Sequence, residues 1–230
     1  AKSPTIETEN FRNLLLSFTN DMRVILIMIA SRLVMLRRLF DSTDDAARRL
    51  VANEASKLYI PLAHKLGFYK LKSEMEDLAL RYTETEIYAE LSRKLEETAA
   101  SREDYIASFI KPIEKQLKTL PHLKYRIKGR TKSINSIWQK MKKQQRPFEQ
   151  IYDLFAIRII IDSEPQNEKS ECWHVYSMVA DMYTPNPHRL RDWLSVPKSN
   201  GYESLHTTVM GPEGRWVEVQ IRTERMDEVA

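Results

Sequence analysis

The hydrophobic positions of this chain follow one periodicity in the first half and another in the second. Up to about residue 119 the apolar residues recur at spacings of three and four, as at Leu14, Leu15 and Phe18, which predicts helices throughout. After Pro121 short alternating segments are separated by amphipathic ones, which predicts strands interleaved with helices. We therefore expect an α+β protein, with an all-α region at residues 1–120 and a mixed β-sheet region flanked by helices at 121–230.

Residues 22–40 are the most hydrophobic stretch of the helical region. Arginines interrupt this stretch, and its longest apolar run, residues 24–30, is far shorter than the roughly 20 residues that a membrane span needs. It is therefore predicted to be a buried helix, and nothing indicates a membrane partner. Gly67 is expected to end a later helix, and Pro61 is expected to end or kink the helix that contains it. The helical region 83–120 is expected to break near Pro112.

The last two predicted strands are joined across Gly211 to Gly214. An odd number of loop residues would place His206 and Thr208 on the same sheet face as Glu218 and Gln220, whereas an even number would place them on opposite faces. Matching of the polar residues favours the odd loop, with Gly211 or Gly214 at a positive φ angle. The predicted strands are residues 124–128, 154–161, 205–210 and 216–222, and the predicted helices of this region are 131–143 and 167–183.

Composition restricts the class of protein. The chain has 230 residues, 42% hydrophobic and 30% charged, with a net charge of +4, which is typical of a soluble globular protein and only weakly indicates an anionic partner. Its single cysteine, Cys172, excludes an intramolecular disulfide and a cysteine-rich zinc site. We expect Cys172 to be a small buried side chain in a protein of the reducing cytoplasm. No pattern indicates an oligomeric state.

A basic segment, residues 124–146, carries nine lysines and arginines and no acid. Alternation places Lys128 and Arg130 on one face of a strand, and Gly129 precedes a helix on which Ser136 and Lys140 lie one turn apart. A helix N-terminus beside such cations favours a phosphate group, because its free N–H groups and its dipole both attract an anion. A solvated basic face or a nonspecific RNA surface is the alternative.

Two carboxylates stand out from the apolar strands around them. Asp153 lies at the mouth of one strand and could either end a turn or hold Mg²⁺ together with phosphate oxygens. Glu218 shares its strand face with Gln220 and Arg222, a pattern that a solvent-facing strand also explains. Two such strands side by side would form a two-carboxylate metal site.

Residues 198–209 (KSNGYESLHTTV) combine a turn with chemically active side chains. Asn200 and Gly201 favour a turn, yet Lys198, an exposed-looking Tyr202 and His206 surround it. Further cations, at Arg189 and Arg191, precede the segment. Cations, separated carboxylates and an aromatic residue together indicate phosphoryl chemistry on a nucleotide.

The order of these motifs resembles the synthetase domain of the RelA/SpoT homologues, which make the stringent-response alarmones (p)ppGpp. The first half, from Glu9-Asn10-Phe11-Arg12 to residues 59–67, is similar to the later helices of the HD hydrolase domain of that family. The motifs that carry the synthetase resemblance are residues 127–141 (IKGRTKSINSIWQKM), 152–158 (YDLFAIR), 197–208 (PKSNGYESLHTT) and 218–223 (EVQIRT).

The resemblance implies a nucleotidyltransferase-like domain that transfers pyrophosphate from ATP to the 3′-OH of GDP or GTP, with Mg²⁺. Asp153 would bind the metal, and Glu218 would activate the 3′-OH or share the metal. The ATP-binding residues would be Arg130 and Arg158 on the adenine and Lys132, Lys140, Arg191 and Lys198 on the phosphates. The acceptor-binding residues would be Tyr202, stacked on guanine, with Ser136, Asn200, His206 and Gln220. Contacts to the ribosome or tRNA would require regions absent from this chain.

Departures from the family pattern concern the hydrolase and the acceptor. Where active hydrolases carry Asp-Arg-Leu-His-Asn, this chain reads Ser31-Arg32-Leu33-Val34-Met35, and the upstream histidine ligands do not occur, so we expect no (p)ppGpp hydrolysis. The basic Arg189-Leu190-Arg191-Asp192 motif beside a degenerate hydrolase leaves both acceptors open, with a preference for GDP. The alternative function is a catalytically silent nucleotide- or RNA-binding regulatory module. A polymerase-type nucleotidyltransferase would need Gly-Ser and Asp-x-Asp motifs, which do not occur.

Overall fold

The structure, a computed structural model, describes residues 22–151 and 153–229. The predictions made for Leu14, Leu15, Phe18, the segment 9–12 and Tyr152 lie outside these residues. Contacts divide the described residues into two compact units, one that extends up to residue 93 and includes 133–135, and another that contains 94–132 and the described residues from 136 onward. The division at residue 120, which separates two regions of family resemblance, stays a prediction. Among the described helices none is long and apolar enough to cross a bilayer.

Helices occupy the described chain up to the first strand, as the three-and-four spacing predicts. They are α1 (Met22–Arg38), α2 (Asp45–Glu54), α3 (Ile60–Leu66), α4 (Tyr69–Thr83), α5 (Thr85–Glu97) and α6 (Ala99–Leu117). Local chemistry sets some of their ends: the Asp44 side chain accepts a hydrogen bond from the N–H of Ala47 at the start of α2, and Gly67 ends α3 with a φ of 82°. The prediction for Gly67 is confirmed.

The prolines interrupt the helices less than predicted. Pro61 lies in the first turn of α3, where its missing N–H costs no hydrogen bond, and a π-helical turn, Ala55–Tyr59, precedes it. Helix α6 continues through Pro112 to Leu117, so the predicted break there is wrong. The buried side chains of α6 on either side of the proline, Phe109 and Ile113, anchor both parts of the helix in one apolar core.

Helix α1 is only half buried, and the prediction of a buried helix is therefore wrong for one of its faces. Ile25, Ile29, Leu33 and Leu36 lie one turn apart and pack in the core of the first unit with residues of α2, α3 and α4. The other face remains accessible, with Ile27 66% exposed. Apolar residues occupy most sides of this helix, but only those of the stripe with helical spacing are buried.

The second unit contains a mixed five-stranded sheet in the order β1-β2-β5-β4-β3. Strand β2 is parallel to β5, and the other neighbours are antiparallel. Four of the strands match the predicted segments closely. The strands are β1 (Lys124–Thr131), β2 (Phe155–Asp162), β3 (Arg191–Asp192), β4 (Leu205–Met210) and β5 (Trp216–Thr223), and the helices among and after them are α7 (Ile134–Gln144), α8 (Glu168–Met182) and α9 (Glu224–Val229).

One face of the sheet is apolar and packs against helices. Ile157, Ile159 and Ile161 of β2 join Val219 and Ile221 of β5 in a core that also contains buried residues of α6 and α8. Cys172 belongs to this core, and burial raises the pKa of its thiol to about 12. The prediction of a small buried side chain at Cys172 is confirmed. The opposite face carries the polar residues of the same strands and is therefore available for chemistry.

The β4–β5 hairpin has the predicted odd loop. Met210 pairs with Trp216, which leaves five residues, 211–215, between the strands, and Gly214 has a φ of 67°. His206 consequently lies opposite Gln220, and Thr208 lies opposite Glu218. The prediction that these four side chains share one face is confirmed.

Candidate active site

The strand register arranges polar side chains in rows across the open face of the sheet. The first row contains Glu218 of β5, with Thr208 on one side and Ala156 and then Arg130 on the other. The next row is the most polar: Lys128, Arg158, Gln220, His206 and Arg191 follow one another across all five strands. Residues from distant parts of the sequence therefore meet because each strand alternates between a core side and a polar side.

Two carboxylates and two lysines meet on the open face of the sheet, around the side chain of Glu218. The Nζ atom of Lys132 lies 3.1 Å from Oε2 of Glu218 and 3.5 Å from Oδ2 of Asp153. Lys140 of α7 is hydrogen-bonded to the same Oδ2 atom of Asp153. Lys132, which follows β1, and Lys140 of α7 are the cations, and Asp153, which precedes β2, and Glu218 of β5 are the acids. The structure thus brings together these four predicted site residues.

The electrostatics of this centre keep Glu218 charged. Burial alone would raise the pKa of Glu218, but Lys132 and a hydrogen bond from Gln220 lower it further than burial raises it. Burial lowers the pKa of Lys140 to about 8, and the neighbouring Lys132 adds to that effect. Lys140 can therefore lose its proton more readily than an ordinary lysine.

The donor chemistry of the centre fits a magnesium ion. Asp153 and Glu218 both contact Lys132 Nζ, so their oxygens face one cation position from two sides. Mg²⁺ takes one or two carboxylates and completes its octahedron with phosphate oxygens and water. Within residues 22–151 and 153–229 no group of three or more His, Cys, Asp or Glu side chains could hold a metal ion, so a metal here would depend on its substrate for ligands.

The N-terminus of α7 already holds an anion. In the first unit, which includes residues 133–135, the backbone N–H groups of Ile134 and Asn135 donate to the carboxylate of Asp77 at 3.2 and 2.8 Å. Helix-terminus electrostatics attract a negative charge here, as predicted, but the charge belongs to the protein. Ser136 is exposed one turn before Lys140.

The turn before β4 has the predicted form. Gly201 has a φ of 79°, and the side-chain oxygen of Asn200 accepts a hydrogen bond from the N–H of Tyr202 at 3.1 Å. The backbone of Lys198 is bonded to that of Tyr202 at 3.1 Å, which closes the turn. Asn200 therefore shapes the loop itself, in addition to the substrate contact predicted for it.

Tyr202 is buried, and the expectation of an exposed tyrosine is wrong. The side chain packs among charged groups, with Lys198 Nζ 4.7 Å and the Arg222 guanidinium carbon 5.4 Å from its ring centre. Its hydroxyl is hydrogen-bonded to Nε2 of His206 at 2.8 Å. Cations attracted to the ring cover it, so a base that stacks on Tyr202 would have to displace Lys198.

The arginines that are predicted to bind adenine and phosphate lie in different surroundings. Arg130 and Arg191 are exposed on β1 and β3, at opposite edges of the sheet. Arg158 is half-buried on β2, where its Nη1 lies 3.2 Å from Oδ1 of Asp227 on α9. Arg130 and Arg158 are in successive rows of adjacent strands, whereas Arg191 lies beyond His206.

Several residues at this face were not predicted. Asp227 pairs with arginines of the sheet, and Arg222, which alternation placed on the face without a role, is almost completely buried. Periodicity could indicate the side of the sheet on which Arg222 lies but not its burial. A cavity of 480 Å³ opens beside Asp153 and is lined by Gln144, Arg146, Gln150, Asn186, Arg189, Thr208 and Trp216. Its two arginines make it suitable for an anion.

His206 should make the stability of the second unit depend on pH. Burial lowers its pKa to about 4, with Arg222, Lys198 and Arg158 adding to the effect and Glu218 opposing it. The unfolded chain binds a proton at His206 near pH 6.5, so this stabilisation is complete above pH 6.5 and is lost as the pH falls toward 4. Between pH 7 and 4 we expect the wild type to lose up to about 3 kcal/mol more unfolding free energy than His206→Gln.

Chemical denaturation at a series of pH values measures this difference. His188→Gln is the matched control, because His188 is exposed in a short 3₁₀ turn, Pro187–Arg189. Identical pH slopes for the wild type and His206→Gln would contradict the assignment of a neutral, half-buried His206.

Both parts of the chain match models of known protein families. Residues 129–230 match a family model described as a region found in RelA/SpoT proteins, and residues 1–69 match a model of the HD domain. The resemblance stated from the motifs is thereby confirmed. The first half contributes the HD match, as its similarity to the later hydrolase helices predicted.

Curated relatives align with nearly the whole chain. It is 37% identical to a GTP pyrophosphokinase of Photobacterium angustum, 39% to a guanosine-3′,5′-bis(diphosphate) 3′-pyrophosphohydrolase of Vibrio cholerae and 36% to the bifunctional (p)ppGpp synthase/hydrolase SpoT of Escherichia coli. These alignments cover 96%, 97% and 97% of this chain but only 29%, 31% and 31% of the relatives. The chain thus spans less than a third of their length. The relatives include both synthetases and hydrolases.

Proposed function

Because the chain belongs to the RelA/SpoT family, we propose that it transfers the pyrophosphoryl group of ATP to the 3′-OH of GDP or GTP, which yields AMP and ppGpp or pppGpp. The observation that carries this proposal is the meeting of Asp153 and Glu218 with Lys132 and Lys140 at one point of the polar face. A surface that only bound anions would gain nothing from two carboxylates there, because they repel phosphate. A metal-dependent phosphoryl transfer uses both charges.

In the proposed reaction the bond from the 3′-oxygen to the β-phosphorus forms while the bond from the β-phosphorus to the α,β-bridging oxygen breaks. That oxygen leaves with AMP and keeps the electron pair. Mg²⁺, held by Asp153 and Glu218, would supply charge neutralisation at the phosphate oxygens. Lys132 and Lys140 would exchange carboxylate contacts for phosphate contacts. Glu218, whose pKa is lowered, is ionised at neutral pH and can accept the 3′-OH proton, as an alternative to sharing the metal.

The remaining site residues would place the two nucleotides on either side of this centre. Arg130 and Arg158 lie on the β1–β2 side, where planar guanidinium groups suit an adenine ring. Tyr202 and His206 lie on the β4 side with Gln220 between the two groups, which suits the acceptor nucleotide. Lys198, on leaving the Tyr202 ring, and Arg191 would bind phosphate. Catalysis would then consist of positioning and charge neutralisation.

A direct synthesis assay tests the proposal. The chain is incubated with ATP, Mg²⁺ and either GDP or GTP, and the nucleotides are separated by ion-exchange chromatography. We expect AMP and the corresponding alarmone in equal amounts, and neither product after chelation of the metal. Nucleotide binding without AMP release would contradict synthesis and would support the catalytically silent nucleotide-binding module.

Hydrolysis of (p)ppGpp should be absent. Helix α1 carries Ser31 and Met35 where the family resemblance implies an aspartate and an asparagine. Serine lacks the negative charge of the aspartate that it replaces, and the thioether of methionine is a poor ligand for a hard divalent metal. We therefore expect no pyrophosphate release from ppGpp with Mn²⁺ present, with the Vibrio cholerae hydrolase relative as positive control. Release above the protein-free background would overturn this expectation.

A further inference from the structure

Arg222 is a buried cation on the polar face of the sheet. Its side chain is 1% exposed and lies on β5, two residues after Gln220 and four after Glu218. Its Nη2 atom donates a hydrogen bond of 2.7 Å to Oε1 of Gln220, and its Nη1 lies 3.6 Å from Oδ1 of Asp227. In the described part of the chain, Nε and Nη1 have no hydrogen-bond partner. The hydrogen bond to Gln220 is therefore the shortest polar contact of the Arg222 side chain.

The burial of this guanidinium is costly. Removing a charge from water without full pairing strongly destabilises a protein, and well-packed apolar side chains often stabilise such positions better. Methionine or leucine at residue 222 would therefore pack in this position at least as well as arginine. An apolar side chain could not reproduce the hydrogen bond to Gln220, the ion pair with Asp227 or the contact with the Tyr202 ring, and of these the Gln220 bond, at 2.7 Å, is the shortest.

The Gln220 amide connects Arg222 to Glu218. While its Oε1 accepts from Arg222, its Nε2 donates to Oε1 of Glu218 at 2.8 Å. An arginine can only donate and an ionised carboxylate can only accept, so the chemistry at both ends determines the amide orientation. A flipped amide would place two donors together at Arg222 and two acceptors together at Glu218.

Glu218 is consequently held at both oxygens. Gln220 binds Oε1, and Oε2 faces Lys132 at 3.1 Å, on the side of Asp153. We propose that Arg222 is a positioning residue: its hydrogen bond orients the Gln220 amide, which holds Glu218 so that Oε2 faces the reaction centre. Arg222 acts through Gln220 and needs no contact with the reacting atoms. The kinetic consequence of this arrangement rests on the proposed synthetase function.

Kinetics of Arg222→Met test the proposal, since methionine keeps much of the volume and removes the donor. We expect kcat to fall about tenfold, with the KM for ATP changed less than about twofold, because an interaction that orients a catalytic group acts mainly on the transition state. Arg222→Lys, which retains one donor, should recover part of kcat. Thermal unfolding of each variant shows whether it is folded, and the lysine variant keeps the test valid if the methionine variant does not fold.

Arg126→Met is the matched control. Arg126 also contacts Asp227, at 3.3 Å, but its hydrogen-bond partners do not include Gln220. If the loss of kcat in Arg222→Met comes from the lost hydrogen bond to Gln220, Arg126→Met keeps the wild-type kcat. An equal loss in Arg126→Met and Arg222→Met would overturn the proposal, because it would assign the effect to the shared Asp227 contact.

A double-mutant cycle tests whether Arg222 acts through Gln220. In a Gln220→Met background the amide is gone, so we expect Arg222→Met to lower kcat less than about twofold further. Effects that multiply would show that Arg222 acts independently and would overturn the proposal. A raised KM for the guanine nucleotide with unchanged kcat would do the same, since it would make Arg222 a ligand-binding residue.

The side-chain amide signal of Gln220 provides a test that needs no activity. Its resonance, assigned by its loss in Gln220→Met, should show slow hydrogen exchange in the wild type and markedly faster exchange in Arg222→Met. An unchanged exchange rate would overturn the orienting role even if the chain makes (p)ppGpp. If the wild type makes no (p)ppGpp, the proposed function fails while this measurement still decides the role of Arg222.

Discussion

Asp153→Asn and Glu218→Gln should each lower the rate of (p)ppGpp formation at least about 10³-fold, as the loss of a metal contact or a catalytic base does. Both substitutions keep the shape of the side chain and remove its negative charge. Asparagine at 153 would leave Lys140 and Lys132 without the carboxylate that they share, and glutamine at 218 could not accept the 3′-OH proton. Single-turnover rates with ATP, Mg²⁺ and GDP measure the effect.

Nucleotide binding should survive these substitutions. Because each removes a negative charge beside the expected phosphate position, we expect the Kd for ATP, measured by calorimetry without turnover, to stay within about threefold of wild type or to tighten. Glu213→Gln is the control, since Glu213 lies exposed in the loop of the hairpin that carries Glu218. Unchanged turnover in both Asp153→Asn and Glu218→Gln would refute the roles assigned to these carboxylates.

Lys132→Met should lower kcat about 10²-fold, the loss that accompanies removal of one preorganised charged donor from a transition state. The Nζ atom of Lys132 bridges Asp153 and Glu218 at 3.5 and 3.1 Å. Without this cation the two carboxylates repel each other, and the pKa of Glu218, which Lys132 lowers, rises. The transferred phosphoryl group would also lose a positive charge. Initial rates at saturating ATP and GDP measure the loss.

Two controls separate this effect from a general loss of charge or of folding. Lys124→Met removes a lysine from the other end of β1, where the side chain is exposed, and should keep the wild-type kcat. Thermal unfolding of Lys132→Met reports any loss of structure. A kcat for Lys132→Met within twofold of wild type would show that Lys132 only neutralises the carboxylates and has no part in the transfer.

Much of the fold could be predicted because each helix and each strand shows its own spacing of apolar residues in the sequence. Alternation identified four strands, and matching of polar residues identified the odd loop of the β4–β5 hairpin. The same alternation placed His206 and Thr208 with Glu218 and Gln220. The hairpin is a local structure, in which loop length and side-chain period together determine the register. The motifs also identified the family before any tertiary contact was considered.

Predictions failed where burial depends on distant neighbours. The sequence of α1 is apolar around most of its surface, and only packing against α2, α3 and α4 selects the buried face. Tyr202 lies beside turn-forming residues that suggest exposure, yet Lys198, His206 and Arg222 surround it. The N–H groups expected to bind phosphate donate to Asp77, which is more than 50 residues away in the chain. Local pattern carries no information about such partners.

The sequence by itself determined the chemical inventory, the strand alternation and the family of this protein, because these depend on residue types and on spacings within single elements. Only the tertiary structure decided which groups meet. The parallel pairing of β2 with β5 brings the Asp153 region to Glu218, and burial turns Arg222 from one polar residue of a strand into the anchor of the Gln220 amide. Contacts between distant segments arise from the packing of the whole sheet. A buried charge without a partner is costly there, which favours arrangements such as that of Arg222, whose Nη2 atom lies against an acceptor of Gln220.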